Sequence, residues 1–79
     1  MKVEVKLFAT LARYAPEGLR QADSMVQVSD GITIMELLQE LDIPYDQVKL
    51  IFLNGVHAEA HTVLEDGSKL GLFPPVGGG

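Results

Sequence analysis

Polar and apolar side chains alternate with a period of two at the start of the chain, from residue 2 to residue 7. Such alternation is typical of a half-buried β-strand, and here it directs Val3, Val5 and Leu7 toward a core. The segment 24–28 has a similar pattern. We expect it to form a second strand that pairs with the first as a hairpin.

The spacing of apolar residues changes to three and four in the segment 32–41, which predicts an amphipathic helix. Thr33 and Glu36 have the spacing of a capping box at its start. Pro44 ends the helical pattern, because proline disfavours the α conformation at the residue before it. Four residues form the inward-facing stripe: Ile34, Leu37, Leu38 and Leu41.

Shorter patterns follow the helix. The apolar run 50–53 ends at Asn54-Gly55, a dipeptide typical of a tight hairpin turn, and 56–58 is predicted to return as a short edge strand. A last strand is predicted at 70–73.

This order of elements leaves a single helix to cover the whole sheet, so one face must meet water or a partner. We therefore expect an α+β fold with a mixed sheet of about five strands and one main helix on one face. Its connectivity is that of the β-grasp, ubiquitin-like architecture, in which the last strand is central and parallel to the first.

The alternation also predicts which aromatic side chains the helix leaves uncovered. Phe73 would face away from the helix, and Phe8 continues the first strand in the same outward phase. Either Ile51 or Phe52 would add to this face, since the whole run 50–53 is apolar. We interpret the face as a candidate docking surface. The alternative is that it is covered by the loop around Tyr14 or Tyr45.

Composition narrows the possible functions. The 79 residues, of which 47% are hydrophobic, suit one folded domain. A net charge of −5 disfavours nucleic acid and anionic membranes, and it favours a basic protein surface as partner. Neither a signal peptide nor a membrane span is predicted, so we expect a cytoplasmic protein. There is no cysteine, so any sulfur chemistry needs an outside source.

Two polar pairs are candidate sites. His57 and His61 could bind a metal, but their strand-and-loop setting favours solvated histidines and no metal site. Glu65 and Asp66 could act as an acid–base pair, but their position before Gly67 favours a turn.

The segment 73–79 is the most unusual part of the sequence. Pro74 and Pro75 hold the backbone extended, and three glycines follow Val76. We expect a β-grasp domain at 1–76 and a flexible glycine tail at 77–79. A tail without side chains could enter a cleft too narrow for any Cβ, with the carboxylate of Gly79 as the functional group.

Four segments together resemble the MoaD/ThiS sulfur-carrier family, over essentially the full length. The resemblance is greatest to the MoaD type, the small subunit of molybdopterin synthase, because of the Phe-Pro-Pro-Val ending before a diglycine. The sequence departs from the family pattern at Ser68, where an acidic residue is frequent, and at Gly77, where Ser or Thr is frequent. The segments are LFATLAR at 7–13, LNGV at 53–56, LEDGSKL at 64–70 and FPPVGGG at 73–79.

The resemblance implies a carrier that binds no cofactor itself. The carboxylate of Gly79 would be adenylated by a ubiquitin-activating-like adenylyltransferase of the MoeB/ThiF type, which uses ATP and magnesium. Sulfur would then replace AMP to give a thiocarboxylate. The tail would enter a MoaE-type large subunit and donate its sulfur to a bound pterin precursor.

The same resemblance assigns roles within the tail. Gly79 is the acyl-adenylate and thiocarboxylate site, while Gly77 and Gly78 thread the partner's cleft. The residues expected to dock on a partner are Phe8, Phe73, Pro74, Pro75 and Val76. Alternative functions are a ThiS-like carrier for thiamine thiazole synthesis or tRNA thiolation, and a ubiquitin-like protein modifier.

Overall fold

A computed structural model describes residues 1–14 and 24–75 of the chain. One sheet contains five strands in the order β2-β1-β5-β3-β4. The elements are β1 Lys2–Leu7, β2 Ser24–Gln27, α1 Ile34–Glu40, β3 Leu50–Leu53, β4 Val56–His57 and β5 Lys69–Phe73, with short 3₁₀ helices at Ala9–Tyr14 and Tyr45–Gln47.

The last strand lies at the centre of the sheet. β5 pairs in parallel with β1 and antiparallel with β3, while β2 and β4 form the two edges. The predicted fold is confirmed: the chain has the mixed five-stranded sheet and single main helix of the ubiquitin-like β-grasp.

The hydrophobic core lies between α1 and one face of the sheet. The alternating residues of β1 and β5 meet the apolar stripe of the helix there, as the sequence pattern predicts. Leu7 and Leu41 pack at the margin of this core. The sheet and helix residues that are most deeply buried are Val3, Leu70, Leu72, Ile34, Leu37 and Leu38.

The predicted capping box forms at the start of α1. The Glu36 amide donates to Thr33 Oγ1 at 3.1 Å, and the Thr33 amide donates to Glu36 Oε1 at 2.9 Å. The helix is nevertheless shorter than the predicted 32–41. At its start, Ile32 lies before the N-cap residue Thr33, and its carbonyl accepts from the Leu64 amide. At its end, Asp42 adopts a left-handed conformation with φ of 57°.

The two predicted turns are also present. Asn54 and Gly55 have φ of 54° and 84°, the pair of positive values that a type I′ hairpin turn requires. At the second turn, Asp66 Oδ1 accepts from the Lys2 amide at 2.8 Å, and the Glu65 amide donates to Ser68 Oγ at 2.9 Å. Ser68 is buried, so its hydroxyl closes the turn from inside. Within residues 1–14 and 24–75, no helix is both long and apolar enough to cross a membrane.

Candidate functional site

The end of β5 is tied to the strand on either side of it. The carbonyl of Leu72 accepts from the Phe8 amide at 3.1 Å, and the carbonyl of Phe73 accepts from the Lys49 amide at 2.8 Å. Pro74 and Pro75 follow directly and have no N–H to donate, so strand pairing stops at Phe73. The chain therefore leaves the sheet from a point that is held on both sides.

Three aromatic rings surround this exit on the face opposite the helix. Phe8 and Phe73 stack with centroids 4.3 Å apart and planes 2° apart. Phe52 meets Phe73 edge to face, at 5.6 Å and 83°. We call Phe8, Phe52 and Phe73 the aromatic surface. Phe8 remains 38% exposed, so these rings are stacked on one another without being removed from solvent.

The turn after β1 directs Phe8 to this face. Ala9 has φ of 52°, a left-handed value that is uncommon for a residue with a Cβ. Beyond it, Leu11 is fully buried in the core, and its amide donates to the Phe8 carbonyl at 3.1 Å. One reversal of the backbone thus sends the leucine inward and leaves the phenylalanine outside.

A cleft of about 660 Å³ lies beside the exit. Pro74 is half-buried and Pro75 exposed along it. Its other walls come from residues 8–10 after β1, from Phe73, from Leu50 at the start of β3 and from Gln47 of the 3₁₀ helix Tyr45–Gln47.

The structure brings most of the predicted docking residues together. Phe8 and Phe73 are in contact, and both prolines are adjacent to them. The third aromatic member is Phe52, since Ile51 is buried opposite Leu72. Val76 and the glycines 77–79 lie outside the described residues, so their roles and the boundary after residue 76 stay predictions.

Neither tyrosine lies on the aromatic surface. Tyr14 packs against the core margin, and the Arg13 guanidinium lies 5.4 Å from its ring centre. Tyr45 is 52% exposed and lines a different cleft. The loop after Tyr14 falls in residues 15–23, outside the described part of the chain.

The two histidines of the candidate metal pair make different contacts. His57 lies on the face of the sheet opposite α1, which we call the open face, and its ring meets that of Phe52 edge-on at 5.9 Å. His61 Nδ1 lies 3.5 Å from Glu59 Oε2, and both side chains are largely exposed. No group of three metal-ligating side chains occurs within the described ranges.

The sequence pattern did not predict a role for Gly71. It lies on the open face between Lys6 of β1 and Phe52 of β3. A Cβ placed on it would lie 3.5 Å from a Phe8 ring carbon and 3.7 Å from a Phe73 ring carbon. A lone glycine among outward-facing aromatics was the available signal for a recess at this point.

This arrangement defines a class of protein: a small ubiquitin-like domain whose chain leaves from the central strand beside an aromatic surface. A sequence model described as the ThiS family matches residues 5–79. The chain therefore belongs to the ThiS family, and it is a ubiquitin-like sulfur-carrier protein of the MoaD/ThiS type. None of the curated proteins compared with it matches the sequence.

Solved structures agree with this assignment. SAMP1 from Haloferax volcanii is 29% identical with a TM-score of 0.71, and the match covers 100% of both chains. A Pyrococcus furiosus protein assigned as molybdopterin converting factor, subunit 1, is 25% identical with a TM-score of 0.70, covering 95% of this chain and 98% of that one. A Helicobacter pylori chain, from the complex of subunits 1 and 2 of molybdopterin-converting factor, is 28% identical with a TM-score of 0.59 and 100% coverage of both.

Proposed function

We propose that this protein is the small, sulfur-carrying subunit of a molybdopterin synthase, with the carboxylate of Gly79 as the group that carries the sulfur. The observation that supports this most is the exit of the Pro74-Pro75 segment from a doubly tied central strand beside the aromatic surface. A reactive tail is presented most reproducibly when its base is rigid.

The chemistry at Gly79 needs a partner. A terminal carboxylate is ionised at neutral pH, and its delocalised charge makes it a weak electrophile. Its oxygen would attack the α-phosphorus of ATP, forming an acyl-adenylate and releasing pyrophosphate. Hydrosulfide would then attack the acyl carbon. The bond to AMP breaks, AMP leaves with the electron pair, and one proton is released as the thiocarboxylate forms.

The activating partner in this scheme is an adenylyltransferase of the MoeB/ThiF type with bound ATP and magnesium. This chain has no cysteine and no glycine-rich phosphate loop, so both the nucleotide and the sulfur come from other proteins. Magnesium or basic groups of that enzyme would offset the repulsion between the tail carboxylate and the ATP phosphates.

The receiving partner is a large subunit of the MoaE type. The Helicobacter pylori relative has been solved in complex with subunit 2 of its molybdopterin-converting factor, which supports this pairing. The aromatic surface would dock against the large subunit, while Val76 and the glycines 77–79 enter its active site. A pterin precursor bound there would receive the sulfur.

Intact-mass measurement tests the carrier role. The protein is incubated with the activating enzyme of its own organism, ATP, magnesium and a sulfide donor. We expect a mass gain equal to the exchange of one oxygen for sulfur. A matched variant with one alanine added after Gly79 keeps the whole domain but should gain nothing. Equal sulfur incorporation by the extended variant would contradict the proposal.

A second candidate is a protein modifier that forms isopeptide bonds through Gly79. The likeness to SAMP1 and to small archaeal modifier protein 1, both from Haloferax volcanii, favours it. The two functions differ in product: a modifier gives lysine-linked conjugates on a denaturing gel, and a carrier gives the free thiocarboxylate.

A ThiS-like carrier for thiamine thiazole synthesis or tRNA thiolation shares the chemistry at Gly79 and differs in its recipient. The family model supports this reading as well as the first. Mixing the thiocarboxylate form with a MoaE-type large subunit and a pterin precursor separates them, because only the molybdopterin carrier should lose its sulfur there.

A further inference from the structure

The open face contains a recess directly above Gly71. The cleft measures about 360 Å³ and is walled by Phe8, Phe52 and Phe73. A Cβ on Gly71 would make ordinary contacts with all three side chains, at 3.5 to 4.0 Å. The space directly above the glycine therefore accepts a methyl-sized group in contact with the rings. We call this recess the Gly71 slot.

The rim of the Gly71 slot carries two lysines and one carboxylate, because Glu4 also lines the cleft and is the register partner of Lys69. Lys69 precedes Gly71 on the same face of β5, and Lys6 lies opposite Gly71 on β1. The charged residues of the five strands all lie on this open face: Lys2, Glu4, Lys6 and Lys69. Three of these four are lysines.

The rest of the described chain has the opposite charge. Asp66 lies at the far end of β1, where it binds the Lys2 amide. Other exposed acids lie on the helix and its loops: Asp30, Glu36, Glu40, Asp42, Asp46, Glu59 and Glu65. The net charge of −5 therefore does not describe the open face.

We infer that the Gly71 slot receives one aliphatic side chain from the partner, on a segment that carries carboxylates beside it. This inference rests on the proposed function, since it names the chemistry of the docking partner. The aliphatic group fills the recess above Gly71, against the edges of the rings, and the flanking carboxylates meet the net positive charge of the rim. Such a central apolar anchor within a charged rim is the common arrangement of energetic hot spots in interfaces.

A larger side chain at residue 71 fills the slot and tests whether the partner inserts an apolar group there. Gly71→Val places methyl groups where the partner's side chain would lie, and valine is favoured in a central strand. We expect the affinity for the large subunit to fall about tenfold or more, since one buried aliphatic group is lost. Gly71→Ala, whose Cβ fits at ordinary contact distance, should have a smaller effect. Urea unfolding of both variants confirms that the domain is intact.

Charge reversal tests the rim and does not depend on how Gly71 variants fold. Lys69→Glu and Lys49→Glu change the net charge equally, but Lys49 lies outside the rim and lines a different cleft. We expect Lys69→Glu to weaken binding to the large subunit, with a smaller difference at high salt. Lys49→Glu should bind nearly as the wild type does.

The outcomes separate this inference from the proposed function. Wild-type affinity in Gly71→Val, or equal effects of the two lysine reversals, would overturn the slot while sulfur loading at Gly79 still succeeds. Tighter binding by Lys69→Glu would point to a basic partner and would also overturn it. If the wild type itself neither gains sulfur nor binds the large subunit, the proposed function is wrong. The inference, which rests on it, is then wrong as well.

Discussion

The two faces of the sheet use the same strands for different purposes. On β5, Leu72 is fully buried against the helix, while Phe73, the next residue, is half-buried on the open face. The covered face is aliphatic, but the open face combines aromatic rings with lysines. A strand that alternates between faces can thus place a stability residue and a recognition residue side by side.

The aromatic rings of the open face pack against one another. Phe8 and Phe73 are stacked, and Phe52 closes the group edge to face. Such contacts contribute about 0.5–1.5 kcal/mol per pair beyond area burial. The rings are therefore already packed together before docking, so binding does not have to bring them together.

The largest expected effect comes from the covered face. Leu72→Ala removes a side chain with no exposure from the sheet centre, so it should lower the free energy of unfolding by about 2–5 kcal/mol. Urea unfolding at constant pH measures the loss. A change below about 1 kcal/mol would mean that the core can collapse around the gap, and the contrast between the faces would then be weaker than the burial suggests.

Substitution of the next residue, Phe73, should reduce binding more than stability. Phe73→Ala removes the ring that contacts both Phe8 and Phe52, so affinity for the large subunit should fall at least about tenfold. Its effect on unfolding should be smaller than that of Leu72→Ala, because the ring is only half-buried. Calorimetric titration gives the affinity and urea unfolding the stability. Normal docking by Phe73→Ala would remove the aromatic surface from the interface.

The sequence predicted the features that depend on local spacing. The capping box of Thr33 and Glu36 follows from residues three apart, and the strand faces follow from a period of two. The connectivity then led to the correct central position of β5.

Features set by neighbouring strands could not be predicted in the same way. In 50–53 every residue is apolar, so only the pairing of Ile51 with Leu72 shows that Phe52 faces outward. The Gly71 slot needs side chains from β3, from β5 and from the residue that follows β1.

A helix cap should affect stability without affecting docking. Thr33→Ala removes the oxygen that accepts from the Glu36 amide, which should cost about 1 kcal/mol of unfolding free energy. Thr33→Ser keeps the oxygen and should be close to the wild type. Since α1 lies on the covered side of the sheet, both variants should bind the large subunit with unchanged affinity. A loss of affinity in Thr33→Ala would show that the two faces are coupled.

The smallest expected effect is a gain in stability at the other end of the helix. Asp42 has φ of 57° just after the end of α1, where glycine is favoured, and its charge lies at the negative end of the helix dipole. Asp42→Gly should therefore raise the free energy of unfolding by roughly 0.5 kcal/mol. Asp42→Ala also removes the charge but keeps a Cβ in the left-handed conformation. If the alanine variant is as stable as the glycine variant, the backbone conformation at residue 42 carries no measurable strain, and the charge alone explains the gain.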